Sequence, residues 1–495
     1  MLPTSTECYR ALTARDPRFD GVFFTGVTST GIFCRPVCPA RTPREDRCRF
    51  FAHAAEASQA GFRPCLRCRP ELAPGLSPLE ASPRLVQRAM ARIEQGVLEE
   101  ESLEGLADAL GTSSRHLRRA FLKELGVTPV EYAQTQRLLS AKRLLTETAL
   151  PVSEVAFASG FRSIRRFNAS FKERLRLDPT GLRRRAPGRE RLEDDPRLPL
   201  ELVLAFRPPL AWDELLGFLA ARAIPGVEWV SEGRYLRTVR LGEVSGVIQV
   251  GPPRERTLPV SMSHALWPVV VPLLAKVRAL FDLDARPDAI AQVLADDPHL
   301  GWRLGQAPGI RVPGAFDGFE LAVRAILGQQ VSVKGATTLA GRLVEAFGAP
   351  VQSAHPVLTR SFPPPRAIAQ ANPKELSKLG ILPARAQTLV SLAREIDQGR
   401  LVLRPGVDAH ATLAQLESLP GVGPWTSHYI GLRALRWLDA FPHGDLWLRR
   451  AIAPSARPGD APSSRELLQA SEAWRPFRAV AALLLWTFPN REETT

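Results

Sequence analysis

Leu419-Pro420-Gly421-Val422-Gly423-Pro424-Trp425-Thr426 places two glycines two positions apart, between segments whose apolar residues recur with a helical period. Glycine lifts the steric limit on tight turning, so such a run joins two short helices and leaves peptide N–H groups where a phosphate can accept from them. This is a helix-hairpin-helix signal, with Gly421 and Gly423 as candidate DNA contacts. Taken alone, a glycine-rich run is more often only a turn. Asp445, 22 residues beyond Gly423, precedes Leu446-Trp447-Leu448-Arg449-Arg450, and its carboxylate has two readings, a helix N-cap or a reacting group. From about Asp284 onward the pattern is mostly helical, with residues 349–366 an internal loop. Leu200 to Val250 alternates apolar and polar residues as strands around a helix at Trp212 to Arg222.

The whole chain has 495 residues, 45% hydrophobic and 23% charged, which predicts a globular protein of three or more domains. Joints are expected at residues 71–83 and 183–199, which are rich in Pro, Gly, Ser or charge. No apolar run reaches the roughly 18 residues of a membrane-spanning helix, and Met1 to Arg10 has no signal-like apolar stretch. No membrane partner is therefore expected. Six cysteines are too few for a disulfide scaffold, so a reducing cytoplasm is the expected setting. Net charge is +14, and residues 1–191 hold 32 basic against 21 acidic residues, the footprint of a polyanionic partner.

Within that basic front half, three residues separate Cys34 from Cys38 and two separate Cys65 from Cys68, with 26 residues between the pairs. Two short chelating loops brought together supply four thiolates, the tetrahedral set that one Zn²⁺ accepts. The spacing leaves a structural and a reactive zinc both open. Cys8 and Cys48 fall outside the pattern and read as ordinary thiols.

Further along, Leu106-Ala107, Gly111, Leu117, Phe121 and Pro129 recur as Val155-Ala156, Gly160, Phe167, Phe171 and Pro179. Two helix-turn-helix units fit this repeat, with Gly111 and Gly160 at the turns and Ser114 and Ser163 as caps of the second helices. Those helices carry Arg115, Arg118, Arg119 and Lys123, then Arg165, Arg166, Asn168 and Lys172. They suit a major groove, although a solvated basic face gives the same pattern.

Thr30-Gly31-Ile32-Phe33-Cys34-Arg35-Pro36-Val37-Cys38 and Ala60-Gly61-Phe62-Arg63-Pro64-Cys65-Leu66-Arg67-Cys68 resemble the N-terminal domain of the Ada family of bacterial alkylation-response proteins. The resemblance implies that Cys34 accepts a methyl group from a DNA methylphosphotriester, with Cys38, Cys65 and Cys68 as the other zinc ligands. Val152 to Phe161, followed by Leu177-Asp178-Pro179, is similar to the AraC-type DNA-binding domain that follows the zinc domain in that family. That likeness implies promoter DNA and RNA polymerase as further partners. The Pro-Cys-His-Arg motif of the Ada methyltransferase domain is absent, so O6-methylguanine repair is not expected.

The chain from about Leu198 to Asn490 resembles the AlkA-type DNA-3-methyladenine glycosylase II of the helix-hairpin-helix superfamily. The stretches that carry this are Arg207-Pro208-Pro209, Leu216 to Ala223, Phe319 to Val333, Trp425 to Tyr429 and Trp474 to Arg478. By that resemblance Asp445 is the catalytic carboxylate, and Phe218, Trp425, Tyr429 and Trp486 line the base pocket. Bifunctional relatives carry a lysine where Trp425 stands, so no Schiff-base step is expected. Gln330 occupies the place of an apolar wedge that fills the gap left by a flipped base, and Leu446 replaces a tyrosine. The hairpin carbonyls of Glu417, Leu419 and Val422 imply a seat for a monovalent cation.

The fold class expected is a multidomain chain with four parts. They are an Ada-like zinc-bound α+β domain (1–76), an all-α double helix-turn-helix domain (82–185), a TBP-like α+β domain (198–312) and a mostly helical helix-hairpin-helix domain (313–495). Function follows as release of alkylated purines from double-stranded DNA by a monomer that also senses backbone methylation. The competing reading is a methylation-sensing transcription activator whose glycosylase half is degenerate.

Overall fold

A computed structural model describes residues 2–75, 85–94, 96–148, 150–185, 199–453 and 461–488. Most of both expected joints lies outside these. The chain clusters into two compact units, one formed by 1–208 with 253–275 and the other by 209–252 with 276–495.

In the first unit, α1 (Ser5–Ala14) starts on a capping box in which Thr4 and Glu7 satisfy each other's backbone N–H groups. A sheet follows, made of β1 (Phe24–Val27), β2 (Ile32–Cys34), β3 (Cys48–Phe51) and the short β4 (Arg63–Pro64), in the order β3-β1-β2-β4. Gly26 must be glycine, because a Cβ there would meet the Phe51 ring at 2.8 Å. The sheet's apolar side is small. Phe24, Phe33, Phe51 and Phe62 pack with α2 (Ala54–Gln59) and with Leu139, which arrives from a helix of the next domain. Each buried ring contributes about 1.5–3 kcal/mol, too little to hold so many loop residues without a crosslink.

The helical part of the same unit contains α3 (Leu85–Glu94), α4 (Leu103–Asp108), α5 (Ser114–Leu125), α6 (Pro129–Glu147), α7 (Val152–Ala158), α8 (Ile164–Leu175) and α9 (Pro179–Arg185). Gly111 and Gly160 turn α4 into α5 and α7 into α8 at φ of 70° and 81°, a region closed to most residues. Ser163 caps α8 as expected, accepting from Arg166 N. The cap of α5 is Ser113, not Ser114: Ser113 is extended and accepts from His116 N, and Ser114 is the first helical residue. The 19 residues of α6, about 28 Å long, carry the chain from one helix-turn-helix to the other. β5 (Leu200–Ala205) pairs antiparallel with β9 (Thr257–Met262).

The second unit holds the antiparallel run β6 (Glu228–Ser231), β7 (Arg234–Leu241) and β8 (Val244–Val250), with α10 (Trp212–Ala220). Its helices include α11 (Gly318–Leu327), α12 (Pro383–Asp397), α13 (Ala409–Glu417), α14 (Pro424–Arg433), α15 (Leu446–Ala451) and α16 (Arg478–Thr487). α11 is apolar nearly all round and runs through the core. Its two charges, buried Glu320 and half-buried Arg324, are matched: Arg324 donates to Glu228 (2.8 Å) and Glu320 (2.9 Å), and Arg237 of β7 donates to Glu320 (2.7 Å). This paired network ties the strands to α11, which is how buried charge is tolerated.

Candidate functional site

The four sulfurs of Cys34, Cys38, Cys65 and Cys68 lie within 4.8 Å of one another. A Zn–S bond of about 2.3 Å places tetrahedral sulfurs about 3.8 Å apart, so the cluster fits one zinc ion with little adjustment. Arg35 N donates to Cys68 Sγ and Arg67 N to Cys65 Sγ, each at 3.3 Å, the arrangement that spreads thiolate charge. Arg35 is held in turn, since its guanidinium pairs with Asp20 and donates to the Cys68 carbonyl at 3.1 Å. Cys38, Cys65 and Cys68 are buried, whereas Cys34 is partly exposed. Cys8 and Cys48 stay apart from the cluster, and burial pushes both thiols up to about 11. Chelation of the metal is expected to unfold this small sheet: amides of β1–β4 should lose hydrogen-exchange protection by about 10³-fold or more, while those of α11 keep theirs.

Arg115 and Arg118 on α5 and Arg165 and Arg166 on α8 are all exposed. On the opposite side of each helix, Leu117 and Phe121, or Phe167 and Phe171, are fully buried. The alternation fixes which face is presented: the apolar stripe anchors the helix and the arginines point away from its core.

The hairpin joins α13 to α14 with Gly421 at φ 87°. It is pinned from three sides. Thr388 Oγ1 donates to the Pro420 carbonyl (2.8 Å), Gln329 Nε2 to the Gly421 carbonyl (2.9 Å), and Ser427 Oγ to Glu417 (2.5 Å). A Cβ on Gly421 would stand 2.4 Å from Thr388 Oγ1, whereas one on Gly423 would meet nothing within 4 Å. The two glycines therefore answer to different needs. Gly421→Ala is expected to lower stability by about 1–3 kcal/mol in thermal melts. Gly423→Ala should melt normally yet bind duplex DNA more weakly, because only an outside partner needs that space.

Asp445 lies at the start of α15, and both of its oxygens are used. Oδ1 accepts from Trp447 N (2.9 Å) and Leu448 N (3.1 Å), the N-cap reading, while Oδ2 accepts from Trp425 Nε1 (2.8 Å). The loop that delivers it is held by His428, whose Nδ1 accepts from Phe441 N (3.1 Å); burial lowers this histidine to about 4, so it stays neutral there. Beside Asp445 is a cleft of about 550 Å³. Its walls bring together Trp425, Tyr429 and Trp486, with Trp447 and Asp445 itself. Trp425 and Tyr429 stack at 5.3 Å, and Trp486 tilts against Tyr429 at 6.1 Å.

One residue expected in the pocket stands elsewhere. Phe218 is not among the residues lining the cleft; the Arg222 guanidinium lies 3.7 Å over its ring, and Arg222 faces the cleft in its place. Gln330, expected at the wedge position, is exposed after α11 with φ at 52°, a left-handed position outside the cleft lining. Sequence reasoning missed Arg222, Arg324, Arg433 and Arg450 on the cleft wall and Gln329 on the hairpin. The spacing of Phe218 and Arg222, four apart at the end of α10, was the available signal.

A hairpin-bearing helical domain with a carboxylate beside an aromatic cleft, behind paired helix-turn-helix units and a four-thiol centre, defines a modular DNA-acting protein. Family models match throughout: the metal binding domain of Ada at residues 7–71, a helix-turn-helix domain at 106–185, the AlkA N-terminal domain at 201–317 and the HhH-GPD superfamily base excision DNA repair protein at 323–476. The probable bifunctional transcriptional activator/DNA repair enzyme AlkA of Mycobacterium tuberculosis is 40% identical over 480 residues, 97% of this chain and 95% of its own. This chain belongs to that bifunctional AlkA family. DNA-3-methyladenine glycosylase 2 of Escherichia coli is 36% identical over 57% of this chain and 96% of its own. The solved 3-methyladenine DNA-glycosylase of Archaeoglobus fulgidus shares the fold, with TM-score 0.50 and 22% identity, over 59% of this chain and 99% of that one. Among the described residues no helix is long and apolar enough to cross a membrane.

Proposed function

We propose that this protein releases alkylated purines from double-stranded DNA and couples that repair to a zinc-thiolate sensor of backbone methylation and to promoter binding. The observation that carries the repair reading is Asp445 Oδ2 held by Trp425 at the edge of a cleft lined by Trp425, Tyr429 and Trp486. An alkylated purine carries positive charge, and electron-rich ring faces hold it once it leaves the stack. As the C1′–N bond breaks, its electron pair leaves with the base and the sugar becomes an oxocarbenium ion. Asp445 stabilises that cation and orients the water that completes hydrolysis. Trp425 offers no amine, so no covalent intermediate forms. Gly421 and Gly423 present the hairpin to a phosphate, with Glu417, Leu419 and Val422 carbonyls as the seat of a monovalent cation, and Gln330 projects toward the gap in the duplex.

In the front half, zinc bound by the four cysteines would keep Cys34 ionised at neutral pH. The Cys34 sulfur attacks the methyl carbon of a phosphotriester, the C–O bond breaks, and a phosphodiester anion departs. Cys34 suits this task because it is the partly exposed member of the set. The product thioether removes one negative charge, which favours DNA binding through Arg115, Arg118, Arg165 and Arg166. Two helix-turn-helix units in one chain do the work of a dimer, so a cytoplasmic monomer acting with RNA polymerase completes the reading, and domains at 1–76, 82–185, 198–312 and 313–495 carry its four tasks. The direct test is free-base release from methylated duplex DNA by the purified chain; binding without release would leave the regulator reading in the lead.

A further inference from the structure

Four guanidiniums, Arg222, Arg324, Arg433 and Arg450, share the cleft wall with the aromatic rings, Arg450 lying over Trp447 at 5.9 Å. Of the three that act on Tyr429, two are committed. Arg324 is paired with Glu228 and Glu320, and Arg433 donates to the Pro313 (2.8 Å) and Gly314 (3.0 Å) carbonyls and to the Tyr429 hydroxyl (3.0 Å). Arg222 has only neutral partners, the Phe218 carbonyl at 3.2 Å and the Phe218 ring, and Tyr429 acts on it from the same wall. Burial opposes its charge and lowers its pKa, with no carboxylate among those partners to offset the cost.

Donor counting then gives the wall a definite character. A guanidinium has five N–H groups and no acceptor, so one hydrogen bond leaves Arg222 with donors to spare. The Tyr429 oxygen accepts from Arg433, which leaves its own O–H to donate elsewhere. Burial alone would raise this phenol; Arg433 and Arg222 outweigh it and bring it down to about 8, which strengthens the O–H as a donor. Trp425 Nε1–H is already given to Asp445. The groups around Tyr429 therefore offer donors, and the carboxylate acceptor of the cleft, Asp445, is already engaged by Trp425, Trp447 and Leu448.

We propose that Arg222, acting with the Tyr429 O–H, is a specificity-determining residue that favours alkylated 6-oxopurines such as 7-methylguanine over 6-aminopurines such as 3-methyladenine. A carbonyl O6 accepts from these donors, whereas an exocyclic amino group meets them donor against donor and leaves buried polar groups unpaired. The proposal rests on the glycosylase reading and refines it.

Methylated duplex DNA tests it in one reaction, because both free bases are separated and counted chromatographically from the same tube. With the full-length zinc-loaded chain, Arg222→Met is expected to lower the ratio of 7-methylguanine to 3-methyladenine release about tenfold or more relative to wild type. Tyr429→Phe, which keeps the ring and removes only the hydroxyl, should move the ratio the same way by about threefold or more. Ratios equal to wild type in both variants overturn the proposal, even where both rates fall together. Should the Arg222 variant fold poorly and release neither base, the Tyr429 variant decides alone. Absence of both bases with the wild-type chain would count against the glycosylase reading instead.

Discussion

Asp445→Asn is expected to slow base release from methylated duplex DNA by about 10²- to 10³-fold or more, with duplex affinity within a few-fold of wild type. The substitution is informative because Asp445 is both a cap and the proposed catalyst. Its Oδ1 accepts from Trp447 N and Leu448 N, and an asparagine carbonyl can keep those bonds, since Asn and Asp cap helices about equally well. Its Oδ2 accepts from Trp425 Nε1, and there an amide NH2 would face a donor. What is lost is therefore one negative charge and one hydrogen bond at the cleft, with the start of α15 preserved. Single-turnover release separates the chemical step from binding, and a rate equal to wild type would make Asp445 a cap and nothing more. Trp425→Phe sharpens the comparison, because it leaves the carboxylate charged while removing its indole donor and part of the stacking face. A loss well below that of Asp445→Asn is expected.

These residues differ in how far the sequence exposes their roles. The four cysteines are legible because metal ligation is a matter of residue type and short spacing, and the sulfurs gather as the spacing requires. Gly421 is legible for the same kind of reason, since only glycine sits comfortably at φ 87° beside Thr388. Asp445 is legible as a cap from the helix it precedes, but its bond to Trp425 joins residues 20 apart through a loop that His428 holds. Phe218 shows where spacing stops being enough. Its aromatic character suits a base pocket, yet the covering residue is Arg222, and what an arginine covers depends on rotamer and neighbours rather than on type. The matched set of Glu228, Glu320, Arg237 and Arg324 is equally hidden, because strands and a helix about a hundred residues apart must meet before the charges can pair.

Cys34→Ser is expected to abolish transfer of labelled methyl from methylphosphotriester DNA to the protein, while base release by the same chain remains. An alkoxide is a poor zinc ligand beside a thiolate, and a serine hydroxyl is not ionised at neutral pH, so the nucleophile disappears with the sulfur. Cys38, Cys65 and Cys68 remain as three buried ligands with their backbone donors at Arg35 N and Arg67 N, so the metal should be retained, with lowered affinity. Metal content measured beside methyl transfer keeps loss of the nucleophile distinct from collapse of the domain. Cys38→Ser is the control for that distinction, because it removes a buried ligand and is expected to release zinc together with the fold of the small sheet. Label arriving on the Cys34→Ser protein at the wild-type rate would exclude Cys34 as acceptor. Label lost from both variants, with zinc lost only from Cys38→Ser, would give the four thiols two separate tasks, one sulfur to react and three to hold the metal against which it reacts.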